Sequence, residues 1–356
     1  MINPLTNLAR RLPLIRAELE ELDALRARAE ALQAECEELG RQCEKLGHEC
    51  DRLNAECKRG SEELNEIKRQ QGFVAPGHFY SPVPVFGAAS EMAEAVFDSA
   101  GRTVPAIDLR EDSQRALVET FIPYYQAMEF TGGKSPGVRY YYDNPAYSYS
   151  DAIMLHCMIR SVRPARIIEI GSGFSSCMML DTNELHFDDQ IKLAFVEPFP
   201  ELLISLLEDT DLNNIRIVSS PLQDVALEEF KRLGANDILF IDSTHVSKAG
   251  SDVNRIFFDI LPALAEGVYV HFHDVFFPFE YPPQWLREGR AWNEAYMLRA
   301  FLEYNSAFEV VLMNTFMHRH HQPFFEREMP LTLKNTGGSI WLRKTTDSLF
   351  TAEQSG

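Results

Sequence analysis

The chain has 356 residues, of which 45% are hydrophobic, 11% aromatic and 24% charged, with a formal net charge of −19. That composition describes a globular protein of one large or two modest domains, and its sign excludes a duplex nucleic-acid binder, which needs a basic face. No apolar run approaches the roughly 20 residues of a membrane span, and Met1–Arg11 lacks a secretory h-region, so a cytoplasmic protein with small-molecule ligands is expected.

Residues 1–72 contain no Phe, Tyr or Trp. Such a segment, dense in mixed charge, lacks the material for a globular core but suits a long helix. Leu25, Leu32, Leu39, Leu46 and Leu53 recur every seven residues, and Ala29, Cys36, Cys43, Cys50 and Cys57 follow each by four. Ile15, Leu22 and Leu64 extend the second series, and Ile67 closes the first. This 3–4 spacing predicts a coiled-coil seam with the Ala/Cys series at a and Leu at d. The alternative is an amphipathic helix laid on a domain. With no proline between Pro13 and Pro76, one helix of roughly 55 residues, about 80 Å long, is expected, and the seam predicts self-association, most simply as a parallel dimer.

Four of the six cysteines are therefore seam residues. Their spacing of seven matches no C-x-x-C zinc pattern, and small apolar a positions explain them. Paired chains in register bring identical cysteines close enough for interchain disulfides on oxidation. Cys157 and Cys177 read as core thiols.

Residues 73–149 form a connecting region rich in proline and aromatics, with short helical patterns around 89–99 and 111–128. The prolines at 82 and 84 bias their predecessors away from helix. Arg139-Tyr140-Tyr141-Tyr142-Asp143-Asn144 either lines a pocket or braces a domain. A flexible tail is expected over 346–356.

Over 150–345 helices alternate with short apolar strands. Strands are expected at Ala165–Ile170, Leu193–Val196, Ile215–Val218, Asp237–Asp242 and Gly267–His271, with helical stretches such as Asp252–Leu264 between them. The alternation predicts an α/β fold with a doubly wound, mostly parallel sheet. Phe308–Asn314 and Ser339–Lys344 are strands with no helical pattern between them, so an antiparallel hairpin is expected at one edge. The connection carries His318, His320 and His321, read as a packing patch rather than a metal site.

Open α/β sheets bind ligands beyond the carboxyl ends of their strands. The first strand runs into Glu169-Ile170-Gly171-Ser172-Gly173-Phe174-Ser175-Ser176. A dinucleotide fingerprint wants a third glycine where this chain has Ser176, and Glu169 disfavours pyrophosphate but suits a cationic ligand. The second strand ends at Glu197, an acid able to accept both hydroxyls of a ribose. Gln223 and Asp224 follow the third strand, placed to reach an adenine edge.

In these motifs, taken in order over roughly 150–345, the chain resembles class I S-adenosylmethionine-dependent methyltransferases, whose seventh strand also enters antiparallel. Phe240-Ile241-Asp242-Ser243-Thr244-His245, Ser251-Asp252-Val253 and His271-Phe272-His273-Asp274 narrow the likeness to a bacterial branch with sugar and small-molecule O-methyltransferases. The resemblance implies an S-adenosyl-L-methionine site of Glu169, Gly171, Ser172, Gly173, Ser175, Glu197, Gln223 and Asp224. The segments holding His78, Tyr80 and Arg139 are similar to that branch's N-terminal extension. The expected function is O-methyl transfer to a glycan or hydroxylated metabolite. A catalytically inert scaffold and a nicotinamide-dependent oxidoreductase are the alternatives, the last opposed by the glycine spacing and Glu169. An alcohol acceptor must lose its proton as the new bond forms. His245 is expected as the general base, with Asp242 and Asp274, joined by His273, holding a divalent cation such as Mg²⁺ or Mn²⁺; packing of His271 and His273 at the strand end is the plain alternative.

Overall fold

The computed structural model describes residues 4–70, 73–208 and 210–346, with side chains of the first helix from 17 to 67. The seam position Ile15 and the tail beyond 346 lie outside the described side chains and residues. Two compact units divide the chain, 1–81 and 82–356.

The first unit is built on one helix, Pro4–Gln70. It begins upstream of Pro13, the expected limit; a proline removes one backbone donor and strains a helix without always ending it. Leu25, Leu32, Leu39, Leu46 and Leu53 are all about half exposed or more along it. Cys36, Cys43, Cys50 and Cys57 are exposed, free thiols. Flanking pairs such as Arg41–Glu38, at 2.8 Å, are solvated contacts of little energetic weight.

The second unit is a seven-stranded sheet in the order β3-β2-β1-β4-β5-β7-β6. Its strands are β1 Arg166–Ile170, β2 Lys192–Val196, β3 Ile215–Val218, β4 Ile238–Ile241, β5 Tyr269–His273, β6 Phe308–Met313 and β7 Ser339–Lys344. The first five are mutually parallel, and β7 lies antiparallel between β5 and β6. The central strand β4 is apolar and wholly buried, as helices covering both sides of a parallel sheet require.

Two expectations change. The fifth strand starts two residues late, because Gly267 takes a left-handed turn (φ +85°) just before it. It runs on to His273, so that His271 and His273 both belong to the strand and are buried. The β6–β7 connection is helical, with helices Asn314–His320 and Gln322–Glu328. Phe316, Met317, His318 and Phe325 are buried there; the polar His and Arg residues between them obscure the helical period. Among the described residues no helix is long and apolar enough to cross a membrane.

The connecting region braces the sheet. The backbone N–H groups of Arg139 and Tyr140 donate to the Asp181 carboxylate in the helix Phe174–Phe187. The Arg139 guanidinium reaches Asp181 at 2.8 Å, Glu184 at 2.9 Å and Asp211 at 2.5 Å. Tyr140, Tyr142 and Tyr147 are buried, Tyr140 and Tyr142 against Phe130 and Tyr147 against Phe240 and His273.

Candidate functional site

The strand order reverses between β1 and β4, and the parallel register aligns their ends: Ile170 pairs with Val196 on one side and Ile241 on the other. Gly171, Glu197 and Asp242 therefore leave the sheet together. The amide of Gly171 donates to Val196 O and that of Asp242 to Ile170 O, at 3.0 and 2.9 Å. Gly171 is irreplaceable here. Its φ is +81°, and a Cβ would lie 1.9 Å from the Asp242 carbonyl oxygen. The glycine thus serves the close approach of β4, setting Asp242 at the crevice.

A cavity of about 500 Å³ opens at this point, within the range of small-molecule sites. Gly171, Glu197, Gln223, Asp242 and Asp252 are among its lining residues. The Glu197 carboxylate is held at its rim by the amides of Ser172 (3.2 Å) and Phe199 (2.9 Å), with acceptor capacity left over for a ligand's hydroxyls. Gln223 is tied by its amide to Gly250 O at 2.7 Å. Asp252 accepts from the backbone and hydroxyl of Thr244 at 3.0 and 2.6 Å, fixing the loop after β4. Asp224 is exposed and outside the lining.

Glu169 takes another role than the one its position suggested. It is fully buried, and its carboxylate oxygens accept from Ser175 and Ser176, each at 2.5 Å. Ser176 also accepts from the Gly173 amide at 3.1 Å, so this set caps the following helix from below. Burial raises the carboxyl to about 8 against the lowering effect of the two hydroxyls. It is therefore largely neutral near pH 7, and its attraction for a cationic ligand is small. The sign for stability follows. Between about 4.5 and 8 the folded chain holds a proton that the unfolded chain has released, so stability falls as pH rises through this window. Glu169→Gln, which offers an oxygen to one serine and an N–H to the other, is expected to flatten that decline by up to about 1.4 kcal/mol per pH unit. Urea unfolding at pH 5, 6, 7 and 8 measures it; parallel slopes for both proteins would contradict it.

Beside the cavity, Asp242, His245 and Asp274 bring ligand atoms within 4.8 Å of one another. His245 Nε2 lies 3.3 Å from Asp242 Oδ1 and 3.7 Å from Asp274 Oδ2. Its Nδ1 is 2.9 Å from Glu294 Oε2, a residue the sequence reading did not single out. His245 and Asp274 both have left-handed backbone, φ +59° and +57°, an uncommon conformation for residues with side chains that clusters at functional sites. Burial lowers the His245 pKa, but Asp242 and Glu294 outweigh it and raise the ring to about 10. Burial raises Asp274 and Glu294, whereas the histidines bring Asp242 below the carboxylate range despite its burial. The ring is thus an imidazolium caged by carboxylates.

His273 is not among the converging atoms. Its Nε2 approaches Asp274 Oδ1 at 3.6 Å, while its ring packs on Tyr147 and His271. Of the expected metal set of Asp242, His273 and Asp274, the two aspartates converge, with His245 rather than His273 beside them. Two carboxylates suit a divalent cation such as Mg²⁺ or Mn²⁺; the imidazole can join them as a donor only by giving up the lone pair that a base needs. His318, His320 and His321 pack separately, against Phe325, against Phe277 and Phe316, and on Glu111.

Residues 168–275 match a methyltransferase domain family, a span holding the cavity lining and the three clustered residues but not Glu294. An uncharacterized protein of Archaeoglobus fulgidus is 33% identical over 168 residues, 46% of this chain and 75% of its own. Among solved structures, an SAH-bound methyltransferase of Podospora anserina is 15% identical, covering 72% of this chain and 95% of its own with a TM-score of 0.38. The O-methyltransferase TomG from Streptomyces achromogenes, in complex with SAM, is 16% identical over 65% of this chain and 89% of its own, at a TM-score of 0.35.

Proposed function

We propose that this chain, which belongs to one family with the archaeal relative and carries a methyltransferase domain over residues 168–275, is an S-adenosylmethionine-dependent O-methyltransferase acting on a hydroxylated small metabolite or glycan. One observation carries the reading: Asp242 belongs both to the wall of the strand-end cavity and to the cluster with His245 and Asp274. A methyl donor in the cavity would thus lie next to groups able to take an acceptor's proton.

Each residue then has a chemical task. The fixed Glu197 carboxylate accepts the ribose hydroxyls, and Gln223 faces the adenine edge, with Asp224 beyond it. Asp242 presents negative charge toward the cationic sulfonium. The sulfonium methyl needs no activation, but the acceptor hydroxyl does. With Nδ1 committed to Glu294, only Nε2 of His245 faces the acceptor side, and when unprotonated it takes the hydroxyl proton. Asp242 and Glu294 then stabilise the resulting imidazolium. A divalent cation held by Asp242 and Asp274 would supply a lowered pKa for the acceptor hydroxyl, leaving the Nε2 lone pair of His245 for the proton.

Calorimetric titration with S-adenosylmethionine tests the reading; absence of binding, or preference for a nicotinamide dinucleotide, would overturn it. Glu197→Ala is expected to weaken that binding by about 1.5–3 kcal/mol, the range for hydrogen bonds to charged groups. An unchanged affinity would move the ribose site elsewhere. A screen of hydroxylated metabolites and oligosaccharides with methyl-labelled cofactor identifies the acceptor.

The helix Pro4–Gln70 adds an assembly. Its exposed Leu and Cys series are spaced for a second copy of the same helix, in a parallel coiled coil with Leu at d. Removal of residues 1–70 is expected to leave a folded, cofactor-binding protein of lower oligomeric order. Light scattering reads the result, and an oligomer number unchanged by the deletion would refute the seam.

A further inference from the structure

We propose that Glu294 is a positioning residue, fixing His245 in the one ring orientation that turns Nε2 to Asp242 and Asp274. The inference rests on the acceptor-site reading above and extends it to a residue outside the matched domain. Glu294 is 1% exposed, so its carboxylate forgoes water almost entirely. Within that burial Oε2 meets His245 Nδ1 at 2.9 Å, while Oε1 meets no donor among the described residues. A carboxylate buried for a single bond is costly unless that bond matters. A carboxylate on the far nitrogen of a working histidine sets its tautomer and ring plane.

The backbone builds the same arrangement. The amides of Asn293 and Glu294 both donate to the His245 carbonyl, at 3.1 and 3.2 Å. The Asn293 side chain accepts from the Ser247 amide at 2.6 Å and donates to Ser247 O at 3.2 Å. The loop after β4 is thereby clasped to the start of the helix Glu294–Glu303. This clasp over-determines the left-handed backbone at His245, which alone would be unfavourable. The Trp292 ring, 4.4 Å from the imidazole, closes one face. With Nδ1 and one ring face occupied, the ring has no second seat that keeps its bond to Glu294.

The test uses the full chain labelled with ¹⁵N in its histidine rings. The His245 resonances are identified by their loss in His245→Ala. In Glu294→Gln they are expected to move, with the other histidine resonances in place and S-adenosylmethionine affinity by calorimetry unchanged. Methyl transfer should fall about 10–100-fold in Glu294→Gln, the usual cost of such a supporting carboxylate. In a His245→Ala background the same change should cost nothing further, because Glu294 acts only through the ring. A merely structural role would lower the rate in both backgrounds and would overturn the proposal. Unmoved His245 resonances in Glu294→Gln would overturn it too, whereas full activity of His245→Ala would instead remove the acceptor-site reading beneath it.

Discussion

Exchange of His245 for alanine is expected to slow methyl transfer about 10²–10⁴-fold and to leave S-adenosylmethionine affinity nearly intact. The two effects separate because the ring faces Asp242 and Asp274 rather than lining the cavity. Alanine also strands the Glu294 carboxylate in the interior, a loss of about 1–3 kcal/mol, so thermal melting belongs beside the rate measurement. His245→Gln separates stability from chemistry. Its amide can donate to Glu294 but cannot carry a proton between substrates and solvent, and the same rate loss is expected from it. A wild-type rate in either variant would exclude His245 as the base.

How much of this was legible in the sequence depends on the kind of signal. Strands were legible where apolar runs stood between turn residues, and β1 to β4 begin and end within a residue or two of their expected positions. The pairing of β7 between β5 and β6 was visible only as an antiparallel edge. Its helical connection was hidden because His318, Arg319, His320 and His321 break the apolar period that Phe316, Met317 and Phe325 would otherwise display. At the site, Gly171, Glu197, Gln223, Asp242, His245 and Asp274 follow strands directly, so chain order places them at one edge of the sheet.

What chain order leaves out is direction. Glu169 and Glu197 both sit near strand ends, yet one points beneath the helix Phe174–Phe187 and the other to the rim of the cavity. The alternation of side chains along β5 puts His271 and His273 on one face, while Asp274, past the strand, turns to the cluster. Glu294 had no local signal at all. An acid in the first turn of a helix is expected from the helix dipole alone, and 49 residues separate it from the histidine it holds.

Exhaustive chelation is expected to abolish turnover, with Mg²⁺ or Mn²⁺ restoring it. With the imidazole neutral, Asp242, Asp274 and Glu294 place three carboxylates around a ring that is 4% exposed. The protein alone relieves this by protonating His245, which occupies the nitrogen the chemistry needs. A divalent cation would balance both aspartates and leave that nitrogen free of its proton, while Glu294 remains compensated by the Nδ1–H bond. Cofactor binding should survive chelation, since Glu197 and Gln223 hold their positions through backbone contacts. Rates measured before chelation, after it, and after readdition of each ion decide the matter. Undiminished turnover in the chelated enzyme would leave proton removal to His245 and its carboxylates alone.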